Sequence, residues 1–315
     1  MKALAQRTAQ ALRILLGLLG AAACSPEAVD ENGLPQVVST STMIADWVEV
    51  VGGAEIEHTG ILVPGVDPHI YEPVPADSIA MEEAELIFYN GYNLEPKLIK
   101  LMNAVGTQAR KIALAERVDP LVTAYEGRME PDPHVWGDVQ NVIPMVNAIR
   151  DALIELSPAD EATFTNNAAA FRAKLVELDT WVQQQINTIP EENRTLVTTH
   201  DAFEYYINAY GLRSAGTLIG ISTEEQPSAQ TVARLADDIE AANIPAIFAE
   251  TTINPALITT VAEEAGVTLA ERELYSDSIG EAGGEADSYV KMIAANTRTI
   301  VEALGGRFED FGPDR

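Results

Sequence analysis

The sequence predicts an α/β protein of two lobes, each a mainly parallel sheet flanked by helices, joined by one long rigid helix. Three observations predict this fold class. Short apolar segments alternate with amphipathic ones over residues 35–156, a long amphipathic segment covers residues 157–190, and the alternation resumes over residues 191–311. Such alternation is typical of βαβ units, whose strands are parallel. A chain of 315 residues is long enough for two cores.

The first predicted lobe, residues 35–156, begins with a strand and a helix. Further strands follow, and glycine or proline ends several of these segments, as at Gly52-Gly53, Pro64-Gly65 and Gly91. The expected strands are residues 35–39, 56–63, 85–90 and 111–114, and the expected helices are residues 42–51 and 76–84.

Residues 157–190 predict the helix that links the lobes. Ser157 is suited to cap it, and Pro158 to occupy its first turn. Apolar residues from Phe164 to Ile189 then recur mostly three or four apart, which indicates one amphipathic helix of roughly 45–50 Å. A coiled-coil helix is the alternative, but the pattern is not a strict heptad.

The second predicted lobe, residues 191–311, repeats the alternation of strands and helices. The expected strands are residues 195–199, 215–219, 245–250 and 267–271, and the expected helices are residues 202–210, 229–242, 255–265 and 287–304.

Residues 1–24 have the features of a secretory signal peptide. A basic stretch without acidic residues, containing Lys2, Arg7 and Arg13, precedes the apolar residues 14–23. That apolar segment is too short to cross the ~30 Å core of a bilayer as a helix. A basic region followed by a short apolar region predicts a segment that is removed before folding.

This segment ends in Ala21-Ala22-Ala23-Cys24, which resembles a bacterial lipobox with alanine where leucine is more usual. Cys24 is the only cysteine, so no disulfide can form within the chain. We expect Cys24 to carry a lipid, with ordinary cleavage nearby as the alternative, and residues 25–34 to form a tether. The predicted location is extracytoplasmic, in the periplasm or at the cell surface, with the lipid in the membrane.

The charge of the chain excludes one class of partner. It has 48 Asp and Glu against 20 Lys and Arg, a net charge of −28. Such a surface repels phosphate backbones, so nucleic acid is not expected as a partner.

The histidines indicate a metal site. There are four, and two stand in the same tripeptide, Asp67-Pro68-His69 and Asp132-Pro133-His134. His200 ends the predicted strand 195–199, and Asp277 follows the last predicted strand. Ligands of open α/β sheets bind beyond the carboxyl ends of strands, so these residues are expected at one cleft. Three imidazoles and one carboxylate form a credible shell for a divalent metal.

Each assignment has a simpler alternative. A loop histidine is often solvated, and a loop aspartate such as Asp277 more often forms a turn or a cap. His58 lies within a predicted strand and is expected to be structural or exposed. Glu250 is expected to cap a helix, with a contact to the metal or its ligands as the alternative. Asp67 and Asp132 are expected to orient loop backbone.

Several motifs together resemble one family, the zinc/manganese solute-binding proteins of bacterial ABC transporters, also called cluster A-I. They cover nearly everything after Leu34. Asp-Pro-His-x-Tyr-Glu-Pro at 67–73 and Asp-Pro-His-Val-Trp at 132–136 are specific in combination, and Asn-Gly-x-x-Leu-Glu at 90–95 is weaker. The other matching segments are residues 38–46, 199–203, 227–229 and 275–278.

The resemblance implies metal ligands at His69, His134, His200 and Asp277. It also implies that the protein delivers the metal to a membrane ABC permease and catalyses nothing. The chain departs from many zinc-specific members, because residues 119–130 are short and lack the histidine-rich loop. Manganese-type members often have glutamate where this chain has His200, so zinc is favoured as the transported ligand and manganese is the second choice.

Two other functions are possible alternatives for such a metal site. A surface adhesin with structural metal would unfold when the metal is removed, whereas a transport receptor stays folded. A zinc hydrolase would need an open coordination position, and the sequence has no His-Glu-x-x-His motif.

Overall fold

The computed structural model describes residues 33–125 and 127–312, and it confirms the predicted α/β architecture. The predicted signal peptide with Cys24, and residues 25–32 of the predicted tether, lie outside the described residues.

A four-stranded parallel sheet forms the centre of the first lobe, in the order β2-β1-β3-β4. Parallel strands point their carboxyl ends to the same edge, and the loops at that edge lead to the site described below. The elements are β1 (Gln36–Ser39), α1 (Thr42–Gly52), β2 (Glu57–Gly60), α2 (Pro75–Glu83), β3 (Leu86–Tyr89), α3 (Pro96–Val105), β4 (Arg110–Ala113), β5 (Val122–Tyr125), β6 (Arg128–Pro131) and α4 (Val139–Leu156).

Two of these features, α3 and the antiparallel β5–β6 hairpin, were not predicted. The hairpin turns at Gly127, whose φ of 76° suits glycine. Pro144 lies inside α4, where proline normally argues against a helix. The buried face of α4, with Val142, Met145 and Ile149, outweighs that local preference.

The predicted linking helix is present as α5 (Glu161–Ile186), and residues 158–160 form a separate 3-10 turn before it. Its 26 residues make it about 39 Å long, somewhat shorter than expected. One face is buried, from Phe164 through Leu175 to Ile186. That face packs against α1 and α4 and against the last helix of the chain.

The second lobe contains two parallel strand pairs. The elements are β7 (Thr195–His200), α6 (Glu204–Tyr210), β8 (Arg213–Ile219), α7 (Ala229–Ala242), β9 (Ala246–Ile247), α8 (Ala256–Ala265), β10 (Thr268–Leu269) and α9 (Tyr289–Ala303). β7 pairs with β8 and β9 with β10, and the Phe248 amide donates to the Val197 carbonyl at 3.0 Å. The last two strands are shorter than the predicted 245–250 and 267–271.

The largest apolar core runs through both lobes. It joins β1 and α1 to α5, α6 and α9 in one cluster of buried side chains. One smaller cluster lies beside the four-stranded sheet of the first lobe, and another lies between the strands of the second lobe and α7 and α8. In the part of the chain that the structure describes, no helix has the length and apolar character needed to cross a membrane.

Candidate metal centre

His69, His134, His200 and Asp277 converge at one buried point. Each offers one ligand atom, and these four atoms all lie within 4.8 Å of one another. The four residues are at most 2% exposed. The structure therefore brings together all four residues that the sequence singled out, although they are up to 208 positions apart (277 − 69).

The fold places each residue at or beyond the end of a strand. His200 is the last residue of β7, and Asp277 follows the short parallel bridge between Glu250 and Leu274. His69 lies in the loop after β2, and His134 precedes a 3-10 turn at residues 135–137. Open α/β sheets bind ligands at loops of this kind, beyond the carboxyl ends of their strands.

The distances fit a small cation. His69 Nε2 lies 3.3 Å from His134 Nε2, and His134 Nε2 lies 3.5 Å from Asp277 Oδ1. His200 Nε2 lies 3.1 Å from Asp277 Oδ2. A tetrahedral shell with metal–ligand bonds of about 2.0–2.1 Å separates its donors by about 3.3 Å. These three spacings match such a shell, and His69 Nε2 lies somewhat farther from Asp277 Oδ2, at 3.8 Å.

The buried polar atoms at this point also indicate a cation. His200 Nε2 and both carboxylate oxygens of Asp277 are buried without a hydrogen-bond partner among the described residues. Buried polar atoms without partners are rare because their desolvation is uncompensated. A bound cation would satisfy all three atoms at once.

Two of the histidine rings are oriented by carboxylates. Asp132 Oδ1 accepts from the His134 backbone at 2.9 Å and lies 2.8 Å from its Nδ1. Glu250 accepts from the His200 backbone at 2.8 Å and lies 2.5 Å from its Nδ1. A carboxylate at Nδ1 fixes the ring and leaves Nε2 for a metal.

These contacts decide two of the sequence expectations. Asp67 and Asp132 do orient loop backbone, since Asp67 Oδ1 accepts from the His69 amide at 2.9 Å. The expectation that Glu250 caps a helix is wrong. Its carboxylate is fully buried against His200, and Asn254 instead accepts from the Ala256 amide at the start of α8. The apolar strand before Glu250 carries it into the site rather than to a helix end.

Burial and neighbouring charges shift the pKa values of the site residues in different directions. Burial lowers the pKa of His69 to about 3. Burial acts on His200 in the same direction, but the carboxylates of Glu250 and Asp277 outweigh it and raise the pKa of His200 well above its usual value. Burial opposes ionisation of Asp277, yet the nearby histidines, His200 first, hold its pKa below the usual range. The carboxylates beside His200 therefore favour its protonated form when no metal is bound.

Some residues that support the site were missed by sequence reasoning. Asn90 donates to the Pro133 carbonyl at 3.0 Å, and Tyr205 donates to the Asp132 carbonyl at 3.0 Å. Trp136 Nε1 donates to the Ser276 carbonyl at 3.0 Å, which joins the His134 and Asp277 loops. Asn90 and Trp136 stand in the quoted motifs, but the motifs do not say what they contact.

His58 lies outside the site, as expected for a structural residue. Its side chain is 6% exposed and lies between Ser39 Oγ at 2.8 Å and Glu49 Oε1 at 3.2 Å.

The family model described as zinc-uptake complex component A, periplasmic, matches residues 37–303. The chain belongs to this family. It is 34% identical to the manganese-binding lipoprotein MntA of Halalkalibacterium halodurans, covering 92% of this chain and 96% of that protein. It is also 34% identical to the metal ABC transporter substrate-binding lipoprotein FimA of Streptococcus parasanguinis, covering 96% and 99%.

The solved structures include a close match in fold. The periplasmic zinc-binding protein TroA of Treponema pallidum superposes with a TM-score of 0.82 at 35% identity, covering 86% of this chain and 99% of that one. These matches confirm the predicted family, the two-lobe fold and the class of function, a metal-binding solute-binding protein of an ABC importer. Such a protein acts outside the cytoplasm and works with a membrane permease.

Proposed function

We propose that this protein captures one divalent transition metal with His69, His134, His200 and Asp277 and delivers it to an ABC permease, with zinc favoured over manganese. Residues 35–156 and 191–311 would form the two lobes, and residues 157–190 the link. The observation that carries the proposal is the buried group of four ligand atoms that all lie within 4.8 Å of one another. No other group of this kind occurs among the described residues.

The composition of the shell favours zinc. Three imidazole nitrogens and one carboxylate oxygen are softer than a shell with two carboxylates, and zinc accepts nitrogen ligands in tetrahedral geometry. Relatives at similar identity are named for manganese and for zinc, so membership of the family does not by itself choose the metal.

The same geometry argues against catalysis. A catalytic zinc keeps one coordination position open for water and has a general base nearby. Here four protein donors are available to fill a tetrahedral shell. The adjacent carboxylates of Asp132 and Glu250 are already engaged by His134 and His200. We therefore assign the protein a binding role rather than an enzymatic one.

The direct test is metal analysis of native protein, followed by competitive titration with Zn(II) and Mn(II). One metal per chain, with tighter binding of zinc, is the expected result. Chelation should leave the protein folded by circular dichroism. Unfolding on chelation would instead favour a structural metal, as in the adhesin alternative, and absence of stoichiometric binding would overturn the proposal.

The affinity for zinc should depend on pH. Metal and protons compete for His200 Nε2, and the carboxylates of Glu250 and Asp277 raise the pKa of His200. Lowering the pH favours the protonated form without metal, so the zinc association constant should fall as the pH is lowered, beginning above the usual imidazole pKa of about 6.5. Titration calorimetry in buffers of different ionisation enthalpy should show that zinc binding releases protons. An affinity independent of pH would contradict this assignment.

We also propose that Cys24 carries the lipid that anchors the protein. The supporting observations are the lipobox-like sequence and relatives that are named lipoproteins. Cys24→Ser should move the protein from the membrane fraction to the soluble fraction, because a lipid would be its principal anchor. Immunoblots of both fractions measure this. Retention of a processed Cys24→Ser protein in the membrane would show another attachment.

A further inference from the structure

One contact between the lobes leads directly to the metal site. Thr223 lies in the loop between β8 and α7, and its hydroxyl donates to Asp67 Oδ2 at 2.6 Å. The other oxygen of the same carboxylate accepts from the His69 amide at 2.9 Å. Asp67 thus connects a loop of the second lobe to the first-lobe loop that holds His69. Hydrogen bonds to an ionised carboxylate are stronger than neutral ones.

His69 is the histidine that most needs this connection. The rings of His134 and His200 are each fixed by a carboxylate at Nδ1, at 2.8 and 2.5 Å. Within residues 33–125 and 127–312, no carboxylate contacts Nδ1 of His69. The position of His69 therefore depends on its loop backbone, which Asp67 holds.

The loop around Thr223 also borders a route to the site. A cavity of about 240 Å³ is lined by His69, Tyr92 and Asn93, and by Ile221 and Ser222, which directly precede Thr223. If the Thr223 loop moved away from Asp67, the His69 loop would lose its contact with the second lobe. The same movement would widen this cavity.

A second hydrogen bond holds the same first-lobe loop. Gly65 donates its amide to Ser278 Oγ at 2.8 Å, beside Asp277. The segment from Gly65 to His69 is thus attached to the second lobe at two points. Lys97 lies 3.9 Å from Glu224, but this pair is exposed and contributes little. Thr223 is therefore the contact that acts on the His69 end of the segment.

We propose that Thr223 is a positioning residue that controls metal release: through Asp67, it holds the His69 loop against the second lobe and keeps His69 on the ion. The inference rests on the proposed function of the site. Without the hydroxyl, Asp67 loses its contact with the second lobe, and His69 leaves the ion more often.

The test compares Thr223→Val, which keeps the shape of the side chain, with Thr223→Ser, which keeps the hydroxyl. Each full-length protein is loaded with Zn(II), mixed with excess fluorescent chelator, and followed by stopped flow. We expect the dissociation rate to rise about tenfold in Thr223→Val and to stay within about twofold of wild type in Thr223→Ser. The association rate and the 1:1 stoichiometry should not change, and thermal unfolding of the empty proteins measures any loss of stability separately.

Thr260→Val is the matched control. Thr260 is exposed on α8, and its hydroxyl donates to the Ala256 carbonyl of its own helix at 3.0 Å. This variant should release zinc at the wild-type rate. In an Asp67→Ala background, Thr223→Val should cause no further acceleration, because Thr223 acts through Asp67.

Three results would overturn the role of Thr223. Thr223→Val could release zinc at the wild-type rate, Thr223→Ser could release it as fast as Thr223→Val, or the effects of Thr223→Val and Asp67→Ala could be additive. If the wild-type protein still binds zinc 1:1, any of these results would leave the proposed function unaffected. Failure of the wild-type protein to bind zinc would overturn both.

Discussion

Replacement of His134 by alanine is expected to weaken zinc binding by about 4 kcal/mol, roughly a thousandfold. The variant loses one of four ligand atoms, and it leaves Asp132 without the ring that it orients. His69→Ala should also cause a large loss. Competition against a chelator of known affinity measures the change, and a zinc affinity close to wild type would remove the substituted residue from the shell.

The fold of these variants has to be measured separately, because His134 is fully buried and its removal leaves a cavity. Thermal unfolding of the empty proteins separates lost stability from lost binding. His58→Ala is the control. His58 is also largely buried, but it contacts Ser39 and Glu49 rather than the metal ligands, so its zinc affinity should stay within about twofold of wild type.

Replacement of His200 by glutamate is expected to shift the preference from zinc towards manganese. Zinc should still bind, because it stands above manganese in the general affinity order. The ratio of zinc to manganese affinity should nevertheless fall about tenfold, since a second carboxylate gives a harder shell that suits manganese. Competitive titration of both metals in one buffer measures this ratio.

Glu250 determines how this experiment must be designed. In His200→Glu the new carboxylate would face the buried Glu250 carboxylate, which now contacts His200 at 2.5 Å. Two buried like charges are costly, so the single variant should be less stable. The double variant His200→Glu/Glu250→Gln restores a hydrogen-bond donor opposite residue 200, and Glu250→Gln alone is its control. An unchanged or higher ratio in the double variant would show that His200 does not set metal preference.

The three histidines of the candidate site could be singled out from the sequence because their signals are local. The repeated Asp-Pro-His triplet marks two of them, and the end of an apolar strand marks the third. Asp277 needed the family resemblance as support, since an isolated loop aspartate has many uses. The roles of Glu250 and Thr223 were not predictable, because they depend on which loops of the two lobes meet.

The long helix α5 has a mechanical consequence. Its buried face belongs to a core that also includes β1, α1 and α9, so the lobes share their interior instead of meeting at a thin hinge. A wide swing of one lobe about the other would expose that interior to water, at a cost of about 25 cal/mol for each Å² of apolar surface. We therefore expect the ion to be loaded and unloaded by small movements of the loops around the metal site, while the two lobes keep their relative position.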